Sequence, residues 1–145
     1  MLQTGIMAPE IEAQDQAGIG HKLSDYRGKW VLLYFYPRDN TPGCTTEACA
    51  LRDNFPHFEK SDAVILGVST DSVASHDRFA QKFNLPFTLL ADTEKTIVNT
   101  YGANGLAKRI SYLIDPAGKI VKVYGKVKPA LHAEEVLQDI EQMKM

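Results

Sequence analysis

Hydrophobic residues fall into continuous runs and helical periods along the chain, and their order indicates an α/β protein. Two continuous apolar runs, over residues 30–36 and 63–68, have the length of buried strands and are far shorter than a membrane span. Between these runs, four apolar residues recur at the spacing of one helical face: Ala48, Leu51, Phe55 and Phe58. This spacing predicts a helix over residues 45–58. Two such strands joined by a helix predict a right-handed βαβ unit with a parallel sheet.

The chain on either side of this unit predicts further strands and helices. Two glycines between short mixed segments indicate an N-terminal β-hairpin over residues 11–23. After the second apolar run, Ser72 or Ser75 is expected to begin a helix. That helix runs to about Asn84, and a short strand follows over residues 87–90.

The C-terminal part of the chain predicts a helix, a hairpin and a final helix. The first helix is expected from Asp92 to about residue 102, and the Asn-Gly pair at 104–105 marks a loop. Segments 110–114 and 120–124 flank a turn sequence and predict the hairpin. The last helix carries apolar residues at broadly helical spacing: Leu131, Val136, Leu137, Ile140 and Met143. With no repeat or linker, residues 1–145 are expected to form one domain.

The composition narrows the class of protein without identifying it. The formal net charge of −2 argues against a nucleic-acid surface, which needs a basic patch. Two cysteines in 145 residues do not make a disulfide framework, so a reducing compartment is expected. The first ten residues have neither a basic region nor an apolar core typical of a signal peptide. We therefore expect a cytoplasmic protein with no nucleic-acid or membrane partner.

Cys44 is the strongest candidate for chemistry, because the pattern places it at the mouth of the helix after the first strand. Pro37 ends that strand, and residues 40–43, Asn-Thr-Pro-Gly, are a dense turn signal. The first turn of a helix has free N–H groups and a partial positive charge, which favour a thiolate over a thiol. Thr41 lies close enough for its hydroxyl to reach the sulfur or a bound substrate. From these residues alone, Cys44 is a reactive nucleophile or an inert buried thiol.

The second cysteine, Cys49, follows five residues later on the same predicted helix. On an intact helix the two Cα atoms lie about 8–9 Å apart, beyond the ~7 Å limit for a disulfide. Either the pair never bonds, or the first helical turns unwind to let it. The alternative is that Cys49 is a core residue on the face that carries Ala48 and Leu51.

Residues 36–49, Tyr-Pro-Arg-Asp-Asn-Thr-Pro-Gly-Cys-Thr-Thr-Glu-Ala-Cys, resemble the active-site segment of peroxiredoxins of the PrxQ branch, also called bacterioferritin-comigratory proteins. Pro37, Thr41 and Cys44 match its Pro-x-x-x-Thr-x-x-Cys motif, and Cys49 matches the offset of the second cysteine. The resemblance extends over nearly the whole chain. It implies a thioredoxin-like fold with a central mixed sheet flanked by helices, which the predicted elements fit.

The resemblance also implies a function, that of an antioxidant thiol peroxidase that needs no metal, haem or flavin. Cys44 would be the peroxidatic cysteine, which attacks hydrogen peroxide or an organic hydroperoxide and becomes a sulfenic acid. Cys49 would be the resolving cysteine, which closes an intramolecular disulfide. Thioredoxin or a similar dithiol reductant would restore both thiols, and a monomer is the default for this branch.

Arg109 stands directly before the predicted strand 110–114. If that strand lies beside the first apolar strand, the guanidinium reaches the helix mouth, where its permanent charge and fixed donors would stabilise a thiolate. The resemblance supports this role, because peroxiredoxins carry an arginine before the equivalent strand. Lys108 and Arg52 are rival cations, and Arg52 is expected to be a structural or surface charge.

The remaining site residues take their roles from the same resemblance. Arg109, Thr41 and the N–H groups around Gly43 and Cys44 would bind the peroxide and stabilise charge on the breaking O–O bond. Pro37 would form the pocket wall and keep water from the thiolate. Glu47 is expected only to favour the positive end of the helix.

Other functions fit the sequence less well. Dithiol oxidoreductases of the thioredoxin type use Cys-x-x-Cys and a proline before the strand, whereas residues 107–109 contain no proline. Cys44, Cys49 and His57 do not match a zinc site, and a Cys-His hydrolase needs a histidine near the nucleophile. Three other histidines are expected to be solvated surface residues: His21, His76 and His132. A redox sensor or thiol-dependent chaperone stays open, and catalytic turnover would distinguish it from an enzyme.

Overall fold

The protein is described by a computed structural model, which covers residues 1–103 and 109–144. Over these residues a seven-stranded sheet forms in the order β2-β1-β5-β4-β3-β6-β7. The strands are β1 (Glu12–Gln14), β2 (Gly20–Lys22), β3 (Trp30–Phe35), β4 (Ala63–Ser69), β5 (Thr88–Ala91), β6 (Ile110–Ile114) and β7 (Ile120–Tyr124). The helices are α1 (Pro42–Asp53), α2 (Phe55–Lys60), α3 (Val73–Phe83), α4 (Thr96–Thr100) and α5 (His132–Lys144). A short 3-10 helix covers Leu23–Tyr26.

The strand pairing confirms the predicted βαβ unit and both hairpins. β3 is parallel to β4, and β4 is parallel to β5. β1 and β2 form the N-terminal hairpin, while β6 and β7 form the second one. β6 also pairs antiparallel with β3, and Phe35 lies opposite Ile110. This register brings Arg109, which directly precedes β6, to the end of β3 from which the loop to α1 leaves.

Two hydrophobic clusters pack on opposite faces of the sheet, and β3 contributes to both. Leu32 and Tyr34 belong to the cluster that contains residues of α1, α3 and α5. Leu33 and Phe35 belong to the cluster that contains residues of α4. All six residues of β3 are buried, which explains why this strand reads as a continuous apolar run instead of an alternating one.

The helix predicted over residues 45–58 is two helices, and the first begins earlier than expected. α1 starts at Pro42, because proline lacks only an N–H that has no intrahelical partner in the first turn. The break falls at Asn54, since Pro56 cannot donate to the carbonyl four residues before it. The Asn54 side chain instead donates to the Ala50 carbonyl at 2.9 Å. The first turn of α1 thus lies directly after the turn sequence and includes Cys44.

Three other predicted boundaries differ in detail. α4 begins at Thr96 instead of Asp92, because the Asp92 carboxylate accepts hydrogen bonds from the Ile97 and Val98 N–H groups and caps the helix from a preceding turn. β5 begins one residue later than predicted, at Thr88. α5 begins after Leu131, which is exposed. The predicted loop at 104–105 lies outside the described residues.

The expectation of solvated histidines was wrong. His76 and His132 are fully buried, and His21 is largely buried against Tyr26 and Asp15. Each of them forms hydrogen bonds that let a polar ring sit inside the fold. In the part of the chain that the structure describes, every helix is too short or too polar to cross a membrane.

Candidate active site

Cys44 is the third residue of α1 and only 2% exposed. Thr41 is the N-cap residue, with extended backbone dihedrals, and Pro42 and Gly43 precede the cysteine. The first hydrogen bond of the helix joins the Thr45 N–H to the Thr41 carbonyl at 2.8 Å. The N–H groups of Gly43 and Cys44 come before this bond, so they face the end of the helix where an anion is stabilised.

Arg109 contacts the Cys44 sulfur directly. Its Nη1 atom lies 3.4 Å from Cys44 Sγ and 3.3 Å from Glu47 Oε1, so one guanidinium nitrogen bridges the thiol and a carboxylate. The guanidinium passes over Gly43, where an added Cβ would lie 2.7 Å from Nη2. The contact predicted for Arg109 is therefore present, and a side chain at position 43 would obstruct it. The rival Lys108 lies outside the described residues.

The other rival cation, Arg52, points away from this site. Its Nη1 atom donates to the Phe83 carbonyl at 2.8 Å, and its Nε atom pairs with Asp53. These contacts confirm the expectation that Arg52 is a structural charge.

Glu47 has a larger part in the site than the sequence suggested. It is fully buried one helical turn after Cys44, where it pairs with Arg109 instead of facing solvent at the helix end. Burial raises the pKa of Glu47 to about 7, although the Arg109 charge works in the opposite direction. Its Oε2 atom is buried with no hydrogen-bond partner among the described residues. The three-residue spacing from Cys44 was the signal that could have identified it.

Tyr34 of β3 and Tyr36, just after the strand, pack in one hydrophobic cluster with Cys44 and form the floor of the site. Tyr34 and Tyr36 stack with ring centroids 5.4 Å apart, and Phe87 meets Tyr34 edge-on. Burial, together with the nearby negative charge of Glu47 and Cys44, raises the pKa of Tyr34 well above its ordinary value. The Tyr34 phenol is thus neutral, and the apolar floor strengthens the attraction between Arg109 and a thiolate.

The loop before α1 carries Pro37 and Thr41 at its two ends. Pro37 is half-buried. The Thr41 hydroxyl donates to the Arg38 carbonyl at 2.9 Å, which leaves its oxygen lone pairs available as acceptors. The predicted roles of Thr41 and Pro37 in binding and shielding stay predictions.

Within the same loop, Asp39 is buried, which no feature of the sequence indicated. It forms a polar cluster with Asp71 and His76, whose candidate ligand atoms lie within 4.8 Å of one another. These three residues are the candidate metal ligands among the described part of the chain. Asp39 and His76 are hydrogen-bonded to each other and to other groups of the protein, and Asp71 Oδ2 accepts from the Asp39 N–H and the Ser69 hydroxyl.

Cys49 lies on the same helix as Cys44 and is half-buried. Both cysteines are free thiols. Because α1 is regular between them, their Cα atoms are held about 8–9 Å apart, as expected for an i, i+5 pair. A disulfide between them requires this part of α1 to change shape.

Taken together, the site holds a buried thiol at a helix N-terminus, a fixed cation against the sulfur and free backbone N–H groups. A thiol in such surroundings is suited to nucleophilic attack on an electrophile that develops negative charge as it is cleaved. A family model described as the AhpC/TSA family matches residues 4–123.

Individual relatives extend over nearly the whole chain. The peroxiredoxin Bcp of Bacillus subtilis is 43% identical over 152 aligned residues, which cover 98% of this chain and 97% of that protein. The chloroplastic peroxiredoxin Q of Sedum lineare is 39% identical over 146 residues, covering 97% of this chain and 78% of the plant protein.

Solved structures superpose on this fold over nearly the whole chain. A PrxQ mutant of Xylella fastidiosa superposes with a TM-score of 0.96 at 32% identity, covering 100% of this chain and 99% of that one. The bacterioferritin comigratory protein of Xanthomonas campestris gives a TM-score of 0.93 at 31% identity, covering 99% of this chain and 100% of that one. Its structure is described as giving insights into its alkyl peroxide reduction activity. These similarities confirm the predicted thioredoxin-like α/β fold.

Proposed function

Because the chain belongs to the AhpC/TSA family, and within it to the Bcp/PrxQ peroxiredoxins, it is a thiol-dependent peroxidase, and we propose that Cys44 is its peroxidatic cysteine. The observation that carries this proposal is the 3.4 Å contact between Arg109 and the Cys44 sulfur at the first turn of α1. A partly buried cation and a helix N-terminus both favour the thiolate, which is the reactive form of cysteine.

In the first step, the Cys44 thiolate attacks the terminal oxygen of a hydroperoxide. An S–O bond forms and the O–O bond breaks, and its electron pair leaves on an alkoxide or hydroxide that takes up a proton. We expect Arg109 and the N–H groups of Gly43 and Cys44 to stabilise that charge, and the contact of Arg109 with the sulfur at the start of α1 supports this role. Each well-placed donor contributes about 3 kcal/mol in comparable enzymes. The sulfur is oxidised to a sulfenic acid.

In the second step, the Cys49 thiol attacks the sulfenic sulfur, an S–S bond forms and water leaves. The regular geometry of α1 between the two cysteines supports a preceding unwinding of its first turns. Exchange with an external dithiol through a mixed disulfide then returns both thiols. Thioredoxin is the proposed reductant.

Several finer properties stay proposals. The Xanthomonas campestris relative supports organic hydroperoxides as substrates beside hydrogen peroxide. A monomer, a cytoplasmic location and a single domain over residues 1–145 are proposed from the sequence. The one continuous sheet supports the single domain. The location is less direct, because the plant relatives are named as chloroplastic.

The test is stopped-flow mixing of reduced protein with one equivalent of hydrogen peroxide, followed by intact mass of the quenched product. Rapid reaction with loss of two hydrogens is expected for the parent chain. Cys49→Ser should consume the first equivalent equally fast, retain one added oxygen and fail to turn over with thioredoxin. Parent protein that reacts no faster than a free thiol would refute the role of Cys44. Normal turnover of Cys49→Ser would refute the role of Cys49.

A further inference from the structure

A buried polar cluster joins the loop before α1 to helix α3. The Asp39 carboxylate accepts hydrogen bonds from the Tyr36 hydroxyl at 2.6 Å and from the Ser75 hydroxyl at 2.8 Å. Its Oδ2 atom also lies 2.7 Å from His76 Nδ1. The side chains of Asp39 and His76 are only 4% and 0% exposed, so this contact is shielded from water.

The hydrogen-bond partners of His76 determine how many protons the pair holds. His76 Nε2 lies 2.9 Å from the Leu90 carbonyl, which can only accept, so Nε2 carries a hydrogen. Nδ1 faces Asp39 Oδ2, an oxygen that already accepts from Ser75. One further proton therefore lies between His76 and Asp39. With it the pair is satisfied, and without it two lone pairs would face each other in a buried site.

The same loop is held by its backbone. The Asp39 N–H donates to Asp71 Oδ2 at 2.8 Å, and that oxygen also accepts from the Ser69 hydroxyl at the end of β4. The next residue, Asn40, has a φ of 60°, in the left-handed region that asparagine adopts more readily than most residues other than glycine. Asp39 thus ties this turn to β4 and α3 through its backbone N–H and its carboxylate.

We propose that Asp39 and His76 are positioning residues for the peroxidase reaction: they fix the loop between β3 and α1 so that the N-terminus of α1 holds Cys44 against Arg109. The inference rests on the proposed role of Cys44. Neither residue contacts the sulfur. They act through the backbone that connects Asp39 to Thr41, the N-cap residue of α1. The Thr41 hydroxyl donates a hydrogen bond to the carbonyl of Arg38, the residue before Asp39.

The experiment removes both partners at once, since removing one would leave the other buried and unsatisfied. The double variant Asp39→Ala/His76→Leu is expected to fold and to react with hydrogen peroxide about 100-fold more slowly, because a misplacement near 1 Å has that cost. Its reaction with iodoacetamide at pH 10, where a thiol is ionised even without Arg109 beside it, needs no peroxide geometry and should change less than about threefold. A purely structural role would lower the unfolding midpoint and leave the ratio of the two rates unchanged.

Two further variants complete the test. Asp39→Asn can accept from Tyr36 while its amide donates to a neutral His76, so it should recover most of the peroxide rate lost in the double variant. Ser61→Ala removes a part-buried hydrogen bond to Glu141 just before β4, at the opposite end of the sheet from the loop, and serves as the matched control. A folded double variant within twofold of the parent peroxide rate, or an Asp39→Asn variant as slow as the double, would overturn the proposal. Failure of the Cys44 assignment itself would appear earlier, in the parent protein.

Discussion

At the scale of single residues, Gly43 matters because of what a side chain there would displace. A Cβ would lie 2.7 Å from Arg109 Nη2, so Gly43→Ala should push the guanidinium from the Cys44 sulfur. We expect the peroxide reaction to slow by about tenfold or more, since loss of a whole donor costs ~10²–10³-fold. Stability should hold, because alanine favours a helix over glycine by about 1 kcal/mol.

Stopped-flow kinetics and urea unfolding of the same variant check both halves of this prediction. The control is a double-mutant cycle with Arg109→Ala. If Gly43 acts only by leaving room for the guanidinium, Gly43→Ala should have no further effect once Arg109 is gone. Additive losses would contradict the explanation.

Glu47 predicts a pH dependence of stability at the same scale. Burial raises its pKa from 4.5 to about 7, so between these values the folded protein binds a proton that the unfolded chain releases. The contribution of Glu47 to the free energy of unfolding is therefore complete below pH 4.5. It falls by about 3 kcal/mol as the pH rises to about 7. Urea unfolding of reduced protein from pH 4 to pH 8 measures the change.

Glu47→Gln removes the titrating group and keeps its size. As the pH rises through this window, the free energy of unfolding should fall more in the parent than in the variant. Parallel curves for the two proteins would contradict the assignment of this titration to Glu47.

At the scale of elements, the proposed disulfide between Cys49 and Cys44 requires α1 to open. Thr46 is exposed and lies between the two cysteines, so substitutions there change the helix without touching the site. Alanine and glycine at this position differ by about 1 kcal/mol in helix stability, or roughly fivefold in the ratio of wound to unwound helix.

We therefore expect Thr46→Gly to form the disulfide about fivefold faster than Thr46→Ala once the sulfenic acid has formed. The two variants serve as controls for each other, and the first reaction with peroxide should be equal in both. Rapid quench with intact mass separates the steps. Equal rates of disulfide formation would show that α1 does not unwind before resolution.

Local pattern was sufficient to predict most elements. β6 and β7 have the predicted bounds, because a turn sequence between two apolar segments leaves little freedom of register. The helix over residues 45–58 was predicted as one element because its apolar spacing continues across the break. The effect of Pro56 on the preceding turn decides the boundary there, and hydrophobic periodicity does not register it.

The residues of the site also fall into those that the sequence indicated and those that it did not. The sequence could single out the two cysteines and Thr41 as candidates because they lie in one short segment, although the roles of Cys49 and Thr41 stay predictions. The predicted contact between Arg109 and the helix mouth is present, because strand pairing brings residue 109 there. Asp39 and His76 were missed since they are 37 positions apart and have no local pattern. Charged and imidazole side chains are usually exposed, so only the tertiary structure reveals that these two are buried together.

At the scale of the whole molecule, the site lies where three central strands, β3, β4 and β6, have their ends side by side. β3 leads into the loop before α1, β4 ends at Ser69 beside Asp71, and β6 begins just after Arg109. Because β6 is antiparallel to β3, its first residue meets the last residue of β3. The order of the strands therefore places Cys44, Arg109 and the loop anchors together, and packing between strands should affect reactivity as well as stability.

Gly67 tests this link between packing and reactivity. It lies in β4 between Tyr34 of β3 and Leu89 of β5, and an added Cβ would come within 2.8 Å of the Tyr34 ring and 2.9 Å of Leu89 Cδ2. All three positions are buried, so neither neighbour has room to move aside. Gly67→Ala should lower the free energy of unfolding by about 1–3 kcal/mol, the usual cost of overpacking a core.

The matched control is Gly20→Ala in β2, where none of the described residues lies within 4 Å of an added Cβ. That variant should keep or slightly raise the stability, since alanine restricts the unfolded chain. Urea unfolding compares the two. Because Tyr34 packs in the same hydrophobic cluster as Cys44, Gly67→Ala should also slow the peroxide reaction, whereas Gly20→Ala should not. A destabilised Gly67→Ala variant with the parent peroxide rate would show that the site tolerates movement of its floor, and that reactivity depends on α1 and Arg109 alone.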